Sequence, residues 1–146
     1  MDTQVITKFK IAKPVNEVFE AIIEPEKMSN YWFSSGTGRM EQGKTISWRY
    51  EEYNAEVDIH VLKVVNNQTI IYSWGESDQE TLVTIALTEL EPACTVIEVN
   101  ESGWKETDPD IVSKMIGQKE GWVYVLTCLK AYLEHGVYTL RASLLH

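Results

Sequence analysis

The chain has 146 residues, 44% of them apolar, with 22 acidic against 13 basic side chains and a net charge of −9. That length favours one domain over 1–146 that buries roughly 68–70% of its unfolded surface, and the apolar content is too high for disorder. The acid excess argues against nucleic acid as a partner, because phosphate binding relies on Lys and Arg, and against an anionic membrane surface. No apolar run approaches the roughly 20 residues of a membrane span. Met1-Asp2-Thr3-Gln4 carries no basic or apolar leader, so a cytoplasmic protein without membrane insertion is expected.

Gln4–Ile11, rich in β-branched and aromatic residues, predicts a first strand. Pro14 opens a helix at a position that needs no N–H, and Val15, Val18, Phe19, Ile22 and Ile23 give it one apolar face. Pro25 stops it, and Glu26–Tyr31 reads as a second short helix. Trp32-Phe33 then leads into the loop Ser34-Ser35-Gly36-Thr37-Gly38, which carries no Lys-Ser/Thr and so fails as a phosphate loop.

From Thr45 to Glu101 the apolar period becomes two: Ile46, Trp48, Tyr50; Val57, Ile59, Val61; Ile70, Tyr72, Trp74; Val83, Ile85, Leu87; Thr95, Ile97, Val99. Turn residues separate the runs, and Asn66-Asn67 suits a tight hairpin because Asn tolerates a left-handed backbone. Five sequential strands with short links predict an antiparallel meander with one apolar and one wet face. Glu56, Asp58 and His60 fall on the wet side. Asp108-Pro109 predicts an N-cap and first residue of a long last helix, along which Met115, Trp122, Leu126, Leu129 and Leu133 form an apolar stripe. Gly136 ends it, beside His135. The core thus runs from about residue 5 to 136, and the tail Val137–His146 has no period that places it.

In that order and spacing, several segments resemble one family. Pro14–Ile22, Pro25-Glu26, Trp32-Phe33, Ile71–Trp74, Thr95–Gly103 and Gly121-Trp122 with Leu126, Leu129 and Leu133 are similar to the START-like (SRPBCC) superfamily. More narrowly, they resemble its branch called activator of Hsp90 ATPase homologue 1-like. The resemblance implies an α+β helix-grip fold, in which a curved antiparallel sheet wraps a long C-terminal helix and leaves a cavity between them. It also implies a lipid or an aromatic, polyketide- or flavonoid-like guest, with polyketide cyclisation and Hsp90 stimulation among the activities of relatives. Where many members carry His before Ser-Gly in the last strand, this chain has Glu101 before Ser102-Gly103, which argues against His-dependent chemistry there.

The expected ligand site is Trp32, Phe33, Trp48, Tyr50, Tyr72, Trp74, Glu101, Met115, Trp122 and Leu126. Each ring taken singly reads as core packing; the set, with the family likeness, reads as the lining of a cavity for a small hydrophobic molecule. Glu101, two residues after Val99, carries two readings: a polar anchor or general acid/base on the inner face, or a strand-end carboxylate reaching water. No catalytic residue, cofactor or metal site is expected. His60, His135 and His146 lie far apart, no GxSxG occurs, and Cys94 and Cys128 read as free, buried thiols. Non-catalytic binding therefore heads the functions, ahead of a cyclase/aromatase-type enzyme using Glu101 and of a module with a chaperone partner.

Overall fold

The computed structural model describes residues 2–145. The first strand, β1 (Gln4–Ile11), turns Val5, Thr7 and Ile11 inward and is followed by α1 (Val15–Ile23) and α2 (Pro25–Met28). Pro14 is the N-cap of α1, with extended backbone, so the first helical residue is Val15. The second helix is shorter than the expected Glu26–Tyr31, because the chain after Met28 continues as turns in which Tyr31 and Trp32 amides bond to the Met28 carbonyl. Val18, Phe19, Ile22 and Ile23 of α1 are buried, the stripe that the three- and four-residue spacing marked.

The expected loop Ser34–Gly38 contains a strand, β2 (Ser35–Gly36), which pairs with β3 (Thr45–Tyr50). Gly36 has to be small: a Cβ there would stand 2.9 Å from Trp48 Cδ1. After a single 3-10 turn (Glu51–Tyr53) the meander runs through β4 (Ala55–Val65), β5 (Thr69–Trp74), β6 (Thr81–Glu91) and β7 (Cys94–Ser102). The turn between β4 and β5 places Asn67 at φ 59°, the left-handed backbone expected of Asn66-Asn67. All neighbours are antiparallel, and the seven-stranded order is β1-β7-β6-β5-β4-β3-β2. Chain closure therefore joins distant segments, with Gln4 opposite Ser102. Register shifts between Val61 and Lys63 and between Glu89 and Glu91 add residues to one strand of a pair, which bends and twists a sheet.

The long helix α3 (Ile111–His135) lies in the hand of this sheet, burying Trp122, Leu126 and Leu129. It starts two residues later than Asp108-Pro109 suggested. Asp108 caps the Asp110 amide at 2.8 Å, ahead of the helix, and Asp110 is the N-cap. Gly136 closes it at φ 68°, where L side chains are strained. Three α3 side chains also cover the free edge of β1. Lys119 donates to the Ile6 carbonyl at 2.5 Å, Lys130 to the Lys10 carbonyl at 2.8 Å, and Glu134 accepts the Ala12 amide at 2.8 Å. This is a curved sheet gripping a terminal helix, the helix-grip α+β fold. Among the described residues, no helix is long and apolar enough to cross a membrane.

Candidate functional site

The inner face of the sheet carries its aromatic residues where period-two spacing places them, and α3 adds Trp122 opposite. The resulting cluster is continuous: Trp32 lies 4.9 Å from Trp48, 6.0 Å from Trp74 and 5.3 Å from Trp122 between ring centroids, mostly in tilted or edge-on contacts. Phe33 and Tyr50 extend it at 5.0 Å. Offset and edge-to-face arrangements of this kind satisfy the ring quadrupoles better than flat stacking.

At its centre lies Glu101, 1% exposed. The structure overturns the water-reaching reading of this residue. One carboxylate oxygen accepts from Trp74 Nε1 at 2.9 Å and Thr81 Oγ1 at 2.6 Å; the other accepts from Gln118 Nε2 at 2.9 Å and Trp122 Nε1 at 2.8 Å. An indole N–H can only donate, and an ionised carboxylate only accepts at about four lone-pair positions, so donors and acceptors match. No Lys or Arg is among these partners. The inward position comes from strand pleat, since Glu101 pairs with Val83 on β6 and Val5 on β1. Its partners come from β5, β6 and α3, so this carboxylate ties the helix to the sheet.

Beside it, Tyr72 is fully buried and its hydroxyl finds no partner among the described protein groups. Burial, followed by the nearby Glu101 charge, pushes this phenol well above its ordinary value. Tyr31, also buried, gives its hydroxyl to the Ala21 carbonyl at 2.8 Å.

Two hollows flank the cluster. A cavity of about 180 Å³ is walled by aromatic rings that include Trp32, Tyr50, Trp74 and Trp122, with Gln118, Arg141 and Leu144 completing it. A wider groove of about 620 Å³ is bordered by Phe33, Trp74, Thr81, Glu101, Trp104 and Gln118, and is open to solvent. Trp74 and Gln118 border both, so the partition between them is built of two side chains that donate to Glu101. The smaller cavity lies below the about 300–1,000 Å³ typical of sites for drug-sized molecules, whereas the open groove alone, at about 620 Å³, falls within it.

Of the ten expected residues, Trp32, Tyr50, Trp74 and Trp122 thus face the smaller cavity, and Phe33, Trp74 and Glu101 the groove. Trp48 and Tyr72 lie behind them in the core, Leu126 borders a void of only about 10 Å³, and Met115 packs against the core. Sequence reasoning missed Gln118, Tyr53, Tyr124, Arg141 and Leu144. Gln118 stands one helical turn before Trp122, a signal that was available; Arg141 is the lone charge in an apolar tail. Cys128 is a buried free thiol that burial pushes up, whereas Cys94, at the turn that starts β7, is free but only half-buried, contrary to expectation. His60 lies between Thr45 at 3.1 Å and Glu80 at 3.2 Å on the outer face, and His146 lies outside the described residues. Among the described residues no cluster of three or more His, Cys, Asp or Glu is placed to hold a metal.

Residues 12–134 match the family model described as activator of Hsp90 ATPase homolog 1-like protein. The chain belongs to that family. This AHSA1-like chain is 47% identical to the protein SSP2350 from Staphylococcus saprophyticus, over 92% of this chain and 94% of that one, at a TM-score of 0.80. It is similar in fold to DynU16, a putative protein in the dynemicin biosynthetic locus, at 23% identity and a TM-score of 0.84, covering 97% of this chain and 51% of that one. The Aha1 dimer from Colwellia psychrerythraea shares the fold at 21% identity and a TM-score of 0.79, over 92% of this chain and 98% of that one. No curated protein sequence matches.

Proposed function

We propose that the protein binds a small hydrophobic, ring-bearing ligand, without catalysis, in the hollow between the sheet and α3. The observation that carries this reading is the aromatic-walled cavity of about 180 Å³ that shares the side chains of Trp74 and Gln118 with the neighbouring groove. Apolar burial supplies the affinity, at about 25 cal/mol per Å² before the costs of association. Tyrosine hydroxyls and Gln118 at the wall supply orientation. Support for binding over acid–base chemistry comes from Glu101: both its oxygens are engaged by two protein donors each, and a general acid or base has to reach the substrate's proton.

The test is an NMR titration of isotope-labelled protein with lipids and with flavonoid- and polyketide-like aromatics. Indole N–H signals of Trp32, Trp74 and Trp122 should shift together with a saturable profile. If none of these compounds moves them, the reading is lost. A second reading, a partner of an Hsp90-type chaperone, has the family's description in its favour. Capture of the chaperone by the intact protein, with a measured gain in its ATPase, would support it.

A further inference from the structure

The segment after α3, unplaced by its sequence, supplies part of the wall of the smaller cavity. Gly136 reverses the chain, with the Val137 amide bonded to the Ala131 carbonyl at 3.2 Å. The tail is then held by residues of the cavity wall. Tyr124 donates its hydroxyl to the Leu140 carbonyl at 2.6 Å, Tyr50 to the Arg141 carbonyl at 2.9 Å and Tyr53 to the Leu144 carbonyl at 2.9 Å. The Arg141 side chain, 11% exposed, fastens the middle. Its Nε donates to the Trp32 carbonyl at 2.7 Å, its terminal nitrogens reach the Glu52 carboxylate at 2.6 and 3.1 Å and Ser34 Oγ at 3.1 Å, and its guanidinium stands 4.9 Å from the Tyr50 ring centre.

Apolar burial contributes only part of this attachment: Val137, Ala142 and Leu144 are half-buried, whereas Tyr138 is 64% and Leu145 84% exposed. A segment outside helix and sheet, fastened by polar bonds and one ion pair, opens at far lower cost than the strands beneath it. It also occupies polar groups that a guest in the cavity would use. Three phenol donors are spent on its backbone carbonyls, while Arg141 and Leu144 form part of the cavity's own wall.

Resting on the ligand-binding reading, we propose that residues 137–145 are a strap that occupies the binding site of its own chain. When the Arg141–Glu52 latch opens, the strap leaves, and an aromatic ligand bearing hydrogen-bond acceptors takes the three tyrosine hydroxyls in place of the strap's carbonyls. The strap is thus an internal competitor.

Acrylamide quenching of tryptophan emission in the full chain tests the strap without any ligand. The variants Arg141→Gln and Glu52→Gln, checked as folded by cooperative melts, should be quenched about threefold or more faster than wild type, as local opening becomes more frequent. Equal quenching in folded variants overturns the strap. Hydrogen exchange on the wild type decides it should a variant fail to fold: amides of 137–145 must exchange well before those of α3, and equal protection overturns it. Flavanone and flavan, which differ by one ring carbonyl, then test the ligand class. Arg141→Gln should tighten flavanone by about fivefold more than flavan if a carbonyl replaces the strap's acceptors. Equal gains overturn the acceptor assignment. If neither compound binds either protein, the ligand reading and the acceptor assignment fall together, and the quenching result still decides the strap.

Discussion

Glu101 sets the chemistry at the scale of single residues. A carboxylate that is 1% exposed has lost its water, and here two indoles, an amide and a hydroxyl stand in for it. Glu101→Gln puts an amide donor where two of those groups also donate, so buried donors lose their acceptor. We expect a loss of about 1–3 kcal/mol per stranded group in urea unfolding, with the indole signals of Trp74 and Trp122 displaced. Tyr72→Phe is the contrasting case. It removes a buried hydroxyl that has no partner among the described protein groups, so the variant should be as stable as wild type or more so by up to about 1 kcal/mol. Glu52 makes a third test. The bonds from Arg141, foremost among the causes, pull its pKa down to about 2. A lowered carboxylate contributes stability that is fully present above the ordinary carboxylate range and is lost as pH falls toward about 2. Because the Glu52 side chain is 42% exposed, solvent screens the pair and the net stability is small. The shift itself is measurable: side-chain carboxyl NMR should titrate near 2 in wild type and return toward the ordinary range in Arg141→Gln.

Among elements, the edges of the sheet matter most. A free strand edge invites pairing with another chain, and on β1 that edge is covered by Lys119, Lys130 and Glu134 of α3. Replacing both lysines by alanine should leave far-ultraviolet circular dichroism unchanged and raise the rate of aggregation seen by light scattering. At the opposite edge Gly36 admits the Trp48 ring, and Gly36→Ala should cost about 1–3 kcal/mol through overpacking. What could be read from the sequence here follows the range of the forces involved. Period-two runs such as Ile70-Tyr72-Trp74 and the stripe Trp122-Leu126-Leu129 record burial directly, so the strands, the long helix and most cavity rings were legible. The two-residue β2 is too short to show a period. The start of α3 was misplaced because the Asp108 side chain serves a turn in place of the helix. The tail stayed dark because its bonds run from side chains to carbonyls about 16 to 109 residues away, leaving no local pattern.

For the whole molecule, the pairing of β1 with β7 brings residues 4 and 102 together. Closing so long a loop ahead of its rewards is slow, so refolding should take milliseconds to seconds, as for other domains dominated by distant strand pairs. Stopped-flow tryptophan emission would report it, and completion within microseconds would contradict it. The same long-range wiring bears on how the hollow can change size. Trp122 and Gln118 bind one carboxylate from α3, while Trp74 and Thr81 bind it from β5 and β6. Sliding the rod lengthwise by a turn would break both of its bonds to Glu101, from Gln118 and Trp122, at once. Tilting about that point would spare them, which makes Glu101 the fulcrum of the rod, while Lys130 and Glu134 tie its far end to β1.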